Sequence, residues 1–379
     1  MRVYFYFIFL FPFISVCQTE YFTISSETLQ DEREIKVQLP RTYNSNEDKR
    51  YPLIFVFDGD YLFEPVAGVV DYLSYWDEIP EAIVIGINQS KTRDNDFQIG
   101  PKRNLPAGFG SEFFDFIQNE LLFRLKNRYR ISRFKVAIGH DRSANFINFF
   151  LLRKNLLFNA YISLSPQLST EMAQRVESAL KNTKAKLFYH LSYGERDFEL
   201  IEQKVKPLGK RLEKIENPNL EMDFGEIKQA THFTMASRSI PTAIEKIFSV
   251  YRPITPTIYE EELLKANDVI DYLEQKYTKM EDLYALEIPV SINDILFVGK
   301  AIKEREEWTS LKELGKIALK NQPESLLGDY YKALYFEKKE RPKKAVSFYQ
   351  RAYRHESVEG IESETMLDRA NELRQLYKD

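Results

Sequence analysis

Residues 133–144 read Arg-Phe-Lys-Val-Ala-Ile-Gly-His-Asp-Arg-Ser-Ala, in which an apolar run from Lys135 to Ile138 reaches a single glycine and then a helix-patterned stretch, Ala144–Lys154. A strand that passes into a helix through a tight turn is the unit from which parallel sheets are wound. Working outward, near-continuous apolar runs of strand length recur at Leu53–Phe57, Ala82–Ile87, Ala160–Leu164, Lys186–Leu191 and Leu220–Phe224. Such runs characterise strands covered on both faces. Helical periodicity fills the gaps at Phe63–Tyr75, Ser111–Arg128, Thr170–Leu180, Ile201–Ile215 and Ile240–Val250. Tyr21–Ser25 and Glu34–Leu39 instead alternate apolar and polar residues, which predicts two half-buried antiparallel strands. The fold class is therefore α/β, a mostly parallel sheet with helices on both faces.

The 379 residues, 44% hydrophobic and 29% charged, suffice for two domains with a large core. A formal net charge of -4 provides no basic field to condense onto nucleic acid, so a nucleic-acid partner is not expected. With one Cys, neither an intrachain disulfide nor a cysteine-based zinc site can form, and no phosphate-binding glycine loop or His/Glu metal spacing occurs; neither cofactor nor metal is expected. Residues 1–17 place Arg2 before an apolar run from Val3 to Phe13 and then small residues, the layout of a secretory signal peptide. The run is too short for a comfortable membrane span, so the expected location is periplasmic or secreted with no integral membrane segment after processing. A lipid anchor on Cys17 is the competing, less favoured reading, because Val16 is large for the position before a lipidated cysteine.

Pro253 and Pro256 mark a linker that closes the first domain, residues 20–253. From residue 258 to 379 the chain is charged, helix-patterned and free of strand signals. Gly299 and Ala333, Ile302 and Phe336, Leu314 and Phe348, and Ala318 and Ala352 each stand 34 positions apart. That is the tetratricopeptide period. The segment resembles a tetratricopeptide-like all-helical domain able to dock a protein partner, with Ile361–Tyr377 as its cap and Glu260–Tyr277 as a helix joining it to the first domain. An unrelated set of helical hairpins is the alternative.

The turn at Gly139 stands where α/β-hydrolases carry G-x-S-x-G, the nucleophile elbow. Here Asp141 occupies the serine position and Ser143 replaces the second glycine. Several segments together resemble the α/β-hydrolase esterases that include esterase D (S-formylglutathione hydrolase) and the ferric enterobactin esterases. YPLIFVFDGDYLF is similar to that family's first buried strand and D-G turn, and EAIVIGINQSKTRDNDF to its second strand with the following R-x-x-D. GFGSEFFDFIQNELLFRLKNRYRI resembles the helix before the elbow, and RFKVAIGHDRSANFINFFLLRKNLLFNAYISLSP the elbow region with its later S-P. The resemblance implies an α/β-hydrolase sheet and a small-molecule substrate. It also implies a nucleophile–acid–histidine triad in that chain order. The histidine maps onto His232 in KQATHFTMASRSIPTAIEKIF; of the other three, His190 lies within a predicted strand and His355 in the repeats. The acid should follow the strand Lys186–Leu191, which makes Asp197 the first choice and Glu195 the second. Backbone N–H groups of Arg142 and of the Gly59–Asp60 turn would serve the oxyanion.

Aspartate at the elbow changes the chemistry. It is ionised at neutral pH and needs no base to attack, but attack on a carboxylic ester would form a mixed anhydride. Elbow aspartates instead serve haloalkane dehalogenases and epoxide hydrolases, through an alkyl ester cleaved by a His-activated water. Ser143 lies in the first helical turn and projects differently. The reading is thus of a hydrolase with an atypical elbow, with a catalytically inactive ligand- or protein-binding relative, or a scaffold built around the repeats, as alternatives.

Overall fold

The computed structural model describes residues 19–377. Eight strands form one sheet: β1 (Thr19–Ser26), β2 (Asp31–Gln38), β3 (Tyr51–Val56), β4 (Ile83–Ile87), β5 (Ile131–His140), β6 (Ala160–Leu164), β7 (Leu187–Arg196) and β8 (Leu220–Thr231). Their order across the sheet is β1-β2-β4-β3-β5-β6-β7-β8. β1 runs antiparallel to β2 and β2 antiparallel to β4, whereas every pair from β4 through β8 is parallel. The signal-peptide segment and Cys17 lie outside the described residues. Among the described residues, no helix is long and apolar enough to cross a membrane.

Period-two alternation divides the core between the two faces of the sheet. Leu53 and Phe55 face one cluster, rich in phenylalanines from α3 (Phe109–Asp115 in the order that follows) and the elbow helix, while Ile54 and Val56 face the other. The helices of the first unit are α1 (Gly59–Tyr75), α2 (Arg93–Asp96), α3 (Phe109–Asp115), α4 (Leu122–Arg128), α5 (Arg142–Leu151), α6 (Met172–Asn182), α7 (Glu199–Leu212) and α8 (Thr234–Ile247). A π-helical turn, Phe116–Leu121, joins α3 to α4. β8 departs from the expectation of strands covered on both faces. It is an edge strand, half-buried along most of its length, because among the described residues no strand pairs with its outer side.

After α8 come α9 (Pro256–Glu261), α10 (Val269–Tyr284), α11 (Ile292–Glu304), α12 (Leu311–Asn321), α13 (Leu327–Lys338), α14 (Pro342–Ala352) and α15 (Ser363–Leu376). From α11 onward each packs on its predecessor. Gly299, Ala333, Ile302, Leu314, Ala318 and Ala352 of the 34-residue pattern are buried there, and Phe336 stacks on Phe348 with ring centroids 5.4 Å apart. Small residues thus sit where helices meet closely. The start of this region is tied down: Ile254 N–H donates to the buried Asp294 carboxylate at 2.7 Å, and Asn293 Nδ2 donates to Ile254 C=O at 2.9 Å.

Candidate active site

β5 ends at His140 and α5 begins at Arg142, so Asp141 alone makes the turn, with φ 60° and ψ −113°. Left-handed φ is costly for a residue with a side chain and collects at functional turns. Two further non-glycine residues share it at the same end of the sheet, Asp58 (φ 53°) and Ser165 (φ 48°). Gly139 is required by close approach: a Cβ there would lie 2.6 Å from the Ser143 carbonyl carbon and 2.7 Å from Ala144 N. The Asp141 carbonyl accepts from Asn145 N–H (3.2 Å) and Gln167 N–H (3.1 Å), which locks the turn to the loop after β6.

His232 follows β8 and is buried. Its Nδ1–H donates to Asp197 Oδ1 at 2.8 Å, and among the described residues Nε2 has no hydrogen-bond partner. Asp197 also accepts from Ser165 Oγ, from Gly194 N–H at 3.0 Å and, through Oδ1, from Phe198 N–H at 2.8 Å. Burial alone would raise this carboxyl, but the bonds from His232, Ser165 and the two amides outweigh it and bring its pKa down to about 2. Glu195, the other acid read from the sequence, points elsewhere. It accepts from Gln229 N–H at 2.7 Å and pairs with Lys228 at 3.3 Å, on the exposed edge of β7 and β8. The register shift between Gly194 and Arg196 carries Asp197, rather than Glu195, under the histidine.

The imidazole of His140 lies 4.5 Å from that of His232, centroid to centroid. Burial, and then the neighbouring His232, lower its pKa, so it is neutral at pH 7. A carbonyl can only accept, so Nε2–H of His140 donates to His232 C=O (2.9 Å), leaving Nδ1 as an acceptor 3.2 Å from the Tyr61 hydroxyl, whose one proton is shared with Asp58 Oδ2, also 3.2 Å away. This buries a rigid support behind the catalytic candidate.

Asp141 itself is held by Arg93. Arg93 grips Asp58 with Nε (2.7 Å) and Nη2 (3.1 Å), and Nη2 also reaches Asp141 Oδ2 at 3.2 Å. Oδ1 of Asp141 has no hydrogen-bond partner among the described residues, and the side chain is 22% exposed. The R-x-x-D segment Arg93–Asp96 was visible as a motif, but its partnership with the elbow was not, because 48 residues separate Arg93 from Asp141. Of the residues read as oxyanion donors, Gly59 opens α1 with the Ile87 backbone pressed against its α-carbon. The Asp60 carboxylate accepts from Gln89 and Ser90 N–H, and the Arg142 side chain pairs with Asp94. Ser143 is not placed to react: its hydroxyl donates to His140 C=O and accepts from His140 N–H, both at 2.9 Å. Among the described residues no group of three His, Cys, Asp or Glu is placed to hold a metal ion.

With the elbow, the His–Asp pair and the sheet order in hand, comparison with known proteins bears on the first unit. Residues 26–207 match the family described as Putative esterase. The structure is similar to that of an uncharacterised protein from Capnocytophaga ochracea DSM 7271, at 25% identity and TM-score 0.85, covering 94% of this chain and 100% of that one. That likeness extends through the helical region. An IroE-like serine hydrolase from Shewanella oneidensis matches at 18% identity and TM-score 0.60 over 79% of this chain and 98% of its own. Siderophore hydrolase EstB from Aspergillus nidulans matches at 17% identity and TM-score 0.51 over 62% of this chain and 96% of its own. These two speak for the fold, an α/β-hydrolase sheet followed here by helices. No curated protein matches. The family match and the fold together support an esterase-type α/β-hydrolase.

Proposed function

We propose that this protein hydrolyses an ester-type or related bond in a small molecule, using Asp141 in place of the usual serine. The observation that carries the reading is the Asp197–His232 pair at 2.8 Å, with Nε2 left unpartnered beside the elbow. A carboxylate that fixes the imidazole and leaves Nε2 unpartnered is the arrangement a general base needs. In the proposed sequence Asp141 Oδ1 attacks the electrophilic carbon of the substrate and the leaving group departs, forming a covalent ester or anhydride on the side chain. His232 Nε2 then takes a proton from water, and the resulting hydroxide attacks Cγ of Asp141. The bond from Cγ to the substrate oxygen breaks, which restores the carboxylate and frees the product; Asp197 steadies the transient imidazolium, whose proton passes to the leaving group or to solvent.

One observation favours a second reading, a ligand-binding relative without turnover: Arg93 neutralises Asp141 in the resting site. The test separates the two. Asp141→Asn should be inert toward esters and epoxides, whereas His232→Gln should accumulate a covalent adduct on Asp141, visible as added mass. Full activity in Asp141→Asn removes Asp141 as nucleophile. Absence of both turnover and adduct across esters, epoxides and haloalkanes favours the binding reading. In either case we read residues 1–17 as a leader that places the protein in the periplasm or outside the cell, and the tetratricopeptide-like helices of 258–379 as the docking face for a protein partner.

A further inference from the structure

A cavity of about 520 Å³ opens beside the elbow, bordered by Arg142, the residue after Asp141, and reaching into the loop that follows β6. Its floor is apolar, made by the buried rings of Phe97 and Phe146 and by Leu168. Its walls carry polar groups with unused valences. Asn145 is only 3% exposed, and its Oδ1 is taken by Ser169 N–H at 3.0 Å, which leaves the Nδ2 amide protons without a partner among the described residues. The Ser169 hydroxyl is buried without a partner, but it is sealed from solvent and so is not offered to the cavity. A buried side chain that leaves a donor unpartnered on a cavity wall points to a ligand.

The sign of that ligand follows from which atoms remain. The free face of Asn145 is a donor. Lys204 at the rim donates to Leu168 C=O at 2.8 Å and has no carboxylate partner among the described residues. The Arg142 charge is matched by Asp94. One uncompensated cation and one neutral donor, set above an apolar floor, fit an oxyanion carried on a short apolar chain. We infer that this cavity takes a carboxylate of the substrate, so that the substrate class is a monoester of a short dicarboxylic acid or a similar acid-bearing ester. Its orientation toward Asp141 rests on the hydrolase reading above; its binding does not. Asn145 N–H and Gln167 N–H both donate to the Asp141 carbonyl, so the cavity walls are fixed to the reacting position.

The test is saturation-transfer NMR at pH 7 with glutarate, and with glutaramide as its uncharged counterpart, on the full chain. Glutarate should bind saturably and at least tenfold more tightly than glutaramide. Lys204→Met, at the exposed rim, and Asn145→Asp, which keeps the bond from Ser169 N–H but turns a donor into an acceptor, should each weaken glutarate by about tenfold or more. Asp141→Asn should leave binding intact. Equal binding of the two probes, or glutarate binding unchanged in both wall variants, overturns the inference. Tight glutarate binding without turnover of any ester would sustain this inference while ending the hydrolase reading. Turnover of neutral esters untouched by glutarate would do the reverse.

Discussion

Arg93 and Asp141 are 3.2 Å apart, and the same guanidinium holds Asp58 in a two-pronged grip at 2.7 and 3.1 Å. The Asp58 side chain is only 2% exposed, so its charge depends on Arg93. Removing one partner of a buried ion pair strands the other, at a cost larger than the pair's own net worth. Arg93→Met should therefore destabilise the protein by about 2–4 kcal/mol in urea unfolding, and Arg93→Lys by less, since an ammonium keeps the charge but loses the fork. Adding Asp58→Asn to Arg93→Met should recover part of the loss. A cost below about 0.5 kcal/mol for Arg93→Met would mean that the pair is held as loosely as a surface contact.

Acid should unfold the protein through identifiable carboxylates. Asp197 and Asp223 are both brought down to about 2, in each case against burial, by His232 and Ser165 for the first and by His190 and Lys246 for the second. A folded-state value below the unfolded one gives stability that is complete above about pH 4 and is lost as the pH falls toward 2. Asp197→Asn should lower stability at pH 7 by about 1–2 kcal/mol and flatten the curve between pH 4 and 2. Denaturant titrations at several pH values measure this; an unchanged slope in that window would show that Asp197 is not a linked group.

Much of this was legible in the sequence, for physical reasons that differ by element. β3, β4 and β6 lie in the sheet interior, so buried apolar runs marked them within a residue or so. β7 and β8 run about five to seven residues further than their apolar runs, because the two pair with each other through the polar stretches Tyr193–Arg196 and Gly225–Thr231, beyond the end of β6. α8 starts at Thr234, six residues before the predicted Ile240, since its first residues set the buried Met235 and Ala236 among Ser237, Arg238 and Ser239 and so carry a broken apolar pattern. The elbow and His232 could be read from motif and chain order. Asp197 stood ahead of Glu195 in that reading, but what separates them, the hydrogen bond to His232, is a contact across 35 residues, and the support from Arg93, Asp58 and His140, whose contacts span 35 to 92 residues, could not be read at all.

The helical region should prove inseparable from the sheet. Tyr284, at the end of α10, is fully buried among Phe134 of β5 and Phe248, with ring centroids 5.2 and 5.3 Å away, and its hydroxyl donates to Ile247 C=O at 2.9 Å. Tyr284→Ala leaves an aromatic-sized void and should cost about 3–5 kcal/mol. Tyr284→Phe removes only the hydroxyl and should cost about 1 kcal/mol, the ordinary net value of one hydrogen bond. If guanidinium unfolding gave the two variants the same stability, the ring would not be the anchor.

A second Ser–His–Asp chain lies under α8, and it should be inert. His190 Nδ1–H donates to Asp223 at 2.6 Å, and its Nε2 accepts from the Ser239 hydroxyl at 2.8 Å, with Ser192 Oγ a further 2.8 Å from Ser239. By distance alone this is a better triad than the one at the elbow. Both serines, however, are 0% exposed, in the interface between α8 and the sheet, where no substrate can approach. The arrangement satisfies buried polar groups, and His190→Ala should accordingly cost about 1–3 kcal/mol by orphaning them. A fluorophosphonate reagent, which labels activated serines, should leave Ser192 and Ser239 untouched in the native protein. Asp141→Ser should gain a label at position 141, because His232 Nε2 is already available there to take the hydroxyl proton. Peptide mapping locates the adduct. A label on Ser239 under native conditions would require α8 to lift from the sheet, and would transfer the catalytic assignment from the elbow to His190.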